Sequence, residues 1–140
     1  CVFTPHPGEM ARCLSTTIGY IQDHRQECAE RLARRWGGVV LLKGRRTVLS
    51  SRSRSIINAS GGPGLAKGGT GDVLTGLVAG LWAQGLASGR AVGHAAFDAA
   101  MLGAYLHGVA GERAARDKTA WAMTAQDVIN ALPRAFKEVL

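Results

Sequence analysis

Between Asn58 and Asp72 the chain reads Asn-Ala-Ser-Gly-Gly-Pro-Gly-Leu-Ala-Lys-Gly-Gly-Thr-Gly-Asp, and it then turns apolar from Val73 to Leu81. Packing does not explain five glycines between Gly61 and Gly69, because glycine loses more backbone freedom on ordering than any other residue. What these glycines permit is close approach of bare N–H groups to a ligand. A helix starting after Gly69 leaves its first N–H groups unpaired and partly positive, so an anion is favoured there. Asp72 at the same point can serve as a base beside a bound phosphate. Gly-Thr-Gly-Asp can also be a plain turn with a helix-capping Asp; the long glycine approach favours the ligand loop.

Asp72 also excludes one chemistry. A Walker A loop needs Lys directly after its last glycine, and Asp stands there instead. A carboxylate in that place repels phosphate unless it accepts a proton from an incoming hydroxyl, which points to phosphoryl transfer onto an alcohol. The chain has no G-x-S-x-G elbow, no H-E-x-x-H and no Cys/His cluster at zinc spacing.

Three further constellations are candidates for the same site. His6 lies between Pro5 and Pro7, a setting that fixes the loop around it more firmly than an ordinary hydrogen-bonded histidine requires. Lys43-Gly44-Arg45-Arg46-Thr47 is a cationic turn with a hydroxyl, equally readable as the decoration of a hairpin. Asn58 ends a strand and reads first as an ordinary strand-ending residue. His94, Asp98 and His107 read as packing or surface hydrogen-bonding groups.

The elements that must position these residues follow from pattern. Val2-Phe3 reads as a strand end, and Pro7 and Glu9 suit the first turn of a helix through Met10, Leu14 and Ile18. Residues 23 to 36 carry Cys28, Leu32 and Trp36 on one helical face, ended by Gly37-Gly38. Val39-Val40-Leu41-Leu42 is a run expected of a strand covered on both faces. Thr47-Val48-Leu49 and Ser55-Ile56-Ile57 are two more short strands. Helices are expected over 71–86, 90–109 and 124–132, the last opened by a Thr124–Asp127 cap. Gly76 and Gly80, four apart, read as a close-packing pair. Strands followed by helices predict a layered α/β unit with a parallel sheet; three or four strands leave an exposed edge, which suggests a fold incomplete at its N-terminus.

At 140 residues, with 46% hydrophobic and 19% charged residues, the chain suits one globular domain. Its net charge of +7 is concentrated in the first 60 residues, with Arg45, Arg46, Arg52 and Arg54 densest. No nucleic-acid motif accompanies them and the aromatics are not interleaved, so a phosphate-rich small ligand is favoured over nucleic acid, with a solvated face next. Cys1, Cys13 and Cys28 form no metal or redox spacing and suit a reducing cytosol. Val73 to Leu86 is too short and glycine-broken for a membrane span. The expectation is a cytoplasmic protein without membrane or nucleic-acid partner, with homo-oligomerisation left open.

Thr4-Pro5-His6-Pro7-Gly8-Glu9-Met10-Ala11-Arg12, Leu42-Lys43-Gly44 with Thr47, and Pro63-Gly64-Leu65-Ala66-Lys67-Gly68-Gly69-Thr70-Gly71-Asp72-Val73-Leu74-Thr75-Gly76 closely resemble the ADP/ATP-dependent NAD(P)H-hydrate dehydratases of the ribokinase-like superfamily. The motifs come in the family's order, and the helix through Ala104-Tyr105-Leu106-His107-Gly108 resembles the family's too. The resemblance implies a three-layer α/β fold and a repair lyase. Such an enzyme returns the S epimer of hydrated NADH or NADPH to the normal cofactor, with ADP in most bacteria and archaea and ATP in eukaryotes. The ring hydroxyl is phosphorylated and phosphate is then eliminated; Mg²⁺ is expected because phosphoryl transfer generally uses it.

Carried over by residue, the resemblance implies that His6 and Asp72 contact the hydrated dinucleotide. Lys43, Gly44, Arg45, Arg46, Thr47 and Gly71 hold the adenine nucleotide. Read from the residues themselves, the Gly69, Thr70 and Gly71 N–H groups lie on the transferring phosphoryl group and Asp72 is the base. Arg45 and Arg46 stand where small residues are more usual. Family domains run to about twice this length, within the ~250-residue range of single α/β domains, so residues 1–140 are expected to be the C-terminal portion of one dehydratase domain with its N-terminal half missing. A ribokinase-like kinase for a small alcohol would share the Gly-Thr-Gly-Asp chemistry, and a non-catalytic nucleotide-binding fragment is the remaining alternative. The Thr-Pro-His-Pro-Gly-Glu segment argues for the dehydratase.

Overall fold

The computed structural model describes residues 1–139. Strand β1 (Val2–Phe3) leads into helices α1 (Pro7–Leu14), α2 (Ile18–Asp23) and α3 (Arg25–Trp36). Strands β2 (Val39–Leu42), β3 (Thr47–Ser50) and β4 (Ser55–Asn58) follow. A 3₁₀ turn (Pro63–Leu65) and helices α4 (Thr70–Ala87), α5 (Val92–Ala122) and α6 (Ala125–Val139) complete the chain. The four strands form one sheet in the order β1-β2-β3-β4.

The sheet is mixed, which corrects the parallel expectation. Only β1 and β2 pair in parallel; β2–β3 and β3–β4 are antiparallel, joined by short turns. Four or so residues between Leu42 and Thr47, and again between Ser50 and Ser55, can reverse the chain but cannot carry a crossover helix. β1, β2 and β4 therefore run the same way, and their C-terminal ends share one edge with the Lys43–Arg46 turn and the glycine loop.

Alternation along β2 builds two cores. Val40 and Leu42, with Val48 of β3, pack under α1–α3 against Met10, Ile21, Cys28 and Leu32. Val39 and Leu41, with Leu49, face α4 and α5 against Leu74, Val78, Phe97 and Ala100. All four β2 residues are buried, as a strand covered on both faces requires. A third cluster closes α5 against α6 through Leu106, Val109, Met123 and Val128. The result is a three-layer α/β/α sandwich.

Several boundaries differ from expectation for local reasons. The helix expected to run through Ile18 breaks into two, because Ser15 adopts φ 51° and Thr17 recaps α2 by accepting from Tyr20 N. Helix α5 runs well past Val109, with a break at Thr119 (φ 71°, ψ 155°). Helix α6 continues through Pro133 to Val139, opened by the expected reciprocal Thr124–Asp127 cap.

The close-packing glycines are not the expected pair. Around Gly76 and Gly80 no atom beyond the local α4 backbone lies within 4 Å of where a Cβ would sit, among the described residues. Tight approaches lie elsewhere. In the glycine loop a Cβ on Gly64 would clash with Met123 Sδ, so packing does account for that glycine. On α5 a Cβ on Gly111 would meet Leu65 at 2.6 Å, and one on Gly108 would meet Ser60 Oγ and its carbonyl carbon, the latter at 2.7 Å. The two α5 glycines seat the loop after β4 directly on the α5 backbone. Gly108→Ala is accordingly expected to destabilise by about 1–3 kcal/mol, since the Ser60 backbone has to move. Gly76→Ala is expected to stabilise by about 0.5–1 kcal/mol through helix propensity alone. Urea midpoints of the two variants check the contrast.

Candidate functional site

The glycine loop is fastened on its inner side. Thr70, 4% exposed, donates its hydroxyl to Leu65 O (2.7 Å) and Lys67 O (2.9 Å). The Thr70 carbonyl accepts from Nε2 of buried His107 on α5 (2.9 Å). Gly61 N donates to Glu112 Oε1 (2.7 Å), and Lys67 Nζ donates to Trp121 O. The bonds of Thr70 and Gly61 take loop groups that would otherwise lie partly buried and unpaired.

The outer side is the start of α4. Asp72 N and Val73 N both donate to Gly69 O, each at 3.1 Å. That leaves the N–H groups of Gly69, Thr70 and Gly71 outside the helical ladder, at its positive end. Gly69 supplies the left-handed φ of 85° that turns the chain into the helix. Asp72 is exposed, and its carboxylate forms no salt bridge among the described residues.

The first two motifs arrive at the same point. Lys43 ends β2, its N–H donating to Pro5 O (2.9 Å), and its Nζ lies 3.3 Å from where a Cβ on Gly71 would sit. Nζ also stands 3.9 Å from Glu9 Oε2. Thr4 Oγ1 is 3.4 Å from Thr75 Oγ1 on α4, tying the end of β1 to the helix that carries Asp72. Lys43, Glu9, Gly71 and Asp72 therefore gather at the C-terminal edge of β1 and β2, where open α/β sheets place ligands.

His6 is the N-cap of α1, so the structural reading of this residue is realised. Its Nδ1 accepts from Gly8 N (3.0 Å) and Glu9 N (3.3 Å), while Glu9 Oε2 accepts from His6 N (2.7 Å). An accepting Nδ1 leaves the ring proton on Nε2, which faces Glu9 Oε1 at 3.5 Å on an exposed side chain. The cap fixes the ring and leaves its far nitrogen at the surface.

The remaining expected residues take the following places. Gly44 (φ 129°) and Arg46 (φ 55°) make the hairpin turn, and Thr47 Oγ1 donates to Gly44 O (3.0 Å). Arg45 and Arg46 are exposed. Arg52 and Arg54 lie in the β3–β4 turn, at the opposite end of the sheet; Arg54 pairs with Asp98 (3.1 Å) and covers the Phe97 ring. The basic group of the sequence is thus two groups. Asn58 bonds Ala104 O (3.2 Å) and Ser60, a structural strand-ending role. His107, Glu112 and Arg25 were not legible as site residues: their partners lie 37, 51 and 17 positions away in sequence, and the family-like helix segment around His107 carried no role for it.

Burial holds the His107 pKa below the ordinary imidazole value; the bond to Thr70 O opposes this, and the Lys43 charge adds to it. The unfolded chain binds that proton more readily, so the contribution of neutral His107 to stability is complete above about pH 6.5. It is lost as pH falls from there through the lower folded-state pKa. His107→Gln is expected to flatten this part of the profile, measured as urea midpoints between pH 5 and 7.5 on both proteins.

The chain matches the NAD(P)H-hydrate dehydratase family over residues 1–134. It is 50% identical over 139 residues to the bifunctional NAD(P)H-hydrate repair enzyme of Moorella thermoacetica, covering 99% of this chain and 25% of that protein. It is 36% identical over 137 residues to the ADP-dependent (S)-NAD(P)H-hydrate dehydratase of Cenarchaeum symbiosum, covering 98% and 45%. The ADP/ATP-dependent NAD(P)H-hydrate dehydratase from Bacillus subtilis, co-crystallised with ATP/Mg²⁺, superposes with a TM-score of 0.83 at 34% identity, covering 98% of this chain and 47% of that one. A ribokinase-like superfamily protein from Enterococcus faecalis gives 0.72 at 30% identity, covering 98% and 44%. The chain spans between a quarter and just under half of these relatives' lengths. With three motifs meeting at one sheet edge and a match along almost all of its length, the chain belongs to the NAD(P)H-hydrate dehydratase family.

Proposed function

We propose that this chain serves the nucleotide-dependent dehydration of the S epimer of hydrated NADH or NADPH. The observation that carries the reading is the meeting of Lys43 Nζ with Gly71 at the open start of α4, one residue from an exposed Asp72. Similarity to relatives named for this reaction supports it.

In this reading the N–H groups of Gly69, Thr70 and Gly71 and the Lys43 ammonium hold the phosphates of ADP or ATP. The Lys43–Thr47 turn borders the nucleotide. Asp72 takes the proton of the ring hydroxyl as its oxygen attacks the terminal phosphorus, and the shortened nucleotide leaves. The N–H groups stabilise the charge gathering on the transferring phosphoryl group. Loss of the phosphate and of a ring proton then restores the double bond. His6, held by its cap, presents Nε2 to the dinucleotide.

The described residues contain no group of three or more His, Cys, Asp or Glu side chains able to cage a metal. A Mg²⁺ ion would therefore be held chiefly by the nucleotide's own phosphates, as hard cations in such sites usually are, and would neutralise their charge. No helix among the described residues is long and apolar enough to cross a membrane.

The reading is tested by following recovery of the reduced-nicotinamide absorbance from hydrated NADH with ADP or ATP, on this chain and on a form extended to its relatives' length. No recovery from either, together with phosphorylation of a small alcohol, would return the choice to a kinase. Asp72→Asn is expected to lower the rate about 10²- to 10⁴-fold, the usual worth of a general base, with nucleotide Kd nearly unchanged. Gly71→Ala is expected to leave the fold as stable or slightly more so while weakening nucleotide binding about tenfold, because its methyl displaces the Lys43 ammonium. Calorimetric titration of ADP into each variant separates the two effects.

A further inference from the structure

Arg25, the first residue of α3, is half-buried beneath the end of β2. Its Nη2 donates to both Leu42 O (3.0 Å) and Lys43 O (3.1 Å), and its Nη1 donates to Gln22 Oε1 (2.8 Å). Its Nε is buried with no partner, and among the described residues no carboxylate lies within ion-pair distance. The guanidinium also covers Gly44: a Cβ there would meet Nη1 at 3.1 Å and Nη2 at 3.2 Å. Gly44 itself sits at φ 129°.

A guanidinium taken out of water without an anion is costly, and so is a buried unpaired N–H. General fold stability does not call for it, since the core above β2 is closed by apolar side chains. What the arrangement does achieve is local. Nη2 alone takes two successive carbonyls at the β2 exit while Nη1 is anchored on Gln22, so the planar group is held at both arms in a way that a lysine point charge does not reproduce. The grip sets the peptide planes on either side of Lys43, and with them the direction in which its side chain leaves the strand. That direction is towards Gly71.

We propose that Arg25 is a positioning residue of the nucleotide site: it aims Lys43 at the open start of α4 by clamping the Leu42 and Lys43 carbonyls. This rests on the nucleotide reading of Lys43 given above.

The test combines affinity with backbone exchange on the 1–140 chain. R25M is expected to weaken ADP and ATP binding about tenfold, the scale of a lost charge-assisted contact made through a displaced group. K43M alone is expected to do the same. The double variant R25M/K43M should be no more than about threefold weaker than K43M, because both act through one ammonium. R25K keeps the charge and is expected not to restore affinity. Independently of any nucleotide, R25M should raise amide hydrogen exchange at residues 43–47 at least tenfold while α5 stays protected. Where R25M does not fold, R25K and Q22A carry the same measurements. Additive losses in the cycle, full rescue by R25K, or unchanged exchange at 43–47 would each overturn the assignment. A parent chain that binds neither ADP nor ATP would sink the nucleotide reading instead, and the exchange result would still decide the clamp.

Discussion

The arrangement depends on the need to satisfy the polar backbone of a loop that lies against a helix. A segment with five glycines has little side-chain volume with which to exclude water or fill space. Its inner carbonyls and N–H groups must therefore find partners in the protein or be lost to competing conformations. Thr70 and His107 answer most of that demand, one from within the loop and one from α5. Bonds spent inward fix which groups remain outward. The free N–H row at the start of α4 is the remainder of this accounting, already in place before any anion binds.

The sheet supplies the second requirement, a common edge. A two-residue β1 would be marginal by itself, but it is paired in parallel with the fully buried β2 and tied at its end to α4 through Thr4 and Thr75. Both exits then open on the same side. The antiparallel return through β3 takes the chain back, and β4 delivers the glycine loop to that side again. A mixed order serves here as well as a parallel one, because only β1, β2 and β4 need to agree in direction.

Legibility in the sequence followed the range of the forces involved. The buried strand β2, the helix starts at Pro7 and Thr124, and the glycine turn into α4 before Asp72 are set by residues within a few positions of one another, and all were readable. The sheet's mixed order turned on connection length. The Ser15 break, the Thr119 break and the passage through Pro133 are local conformations settled by packing around them. His107 looked like any helical histidine, because its partner is a carbonyl 37 positions away. His6 showed the reverse: its motif suggested a ligand contact, and the structure adds a helix cap made with the opposite ring nitrogen. The resemblance to a family supplied the order of the three motifs; their convergence at Gly71 came from the coordinates.

The 3.9 Å gap between Lys43 Nζ and Glu9 Oε2 has a consequence for how tightly anything is gripped. The Lys43 ammonium keeps only part of its water, its acid stands at arm's length, and Glu9 is already engaged with the His6 N–H. Trading that water for phosphate oxygens then calls for little rearrangement, because no strong internal bond has to be broken first. Dissolved ions compete for the same partly solvated charge, so under the proposed nucleotide reading the hold on a phosphate weakens as the salinity around the protein rises.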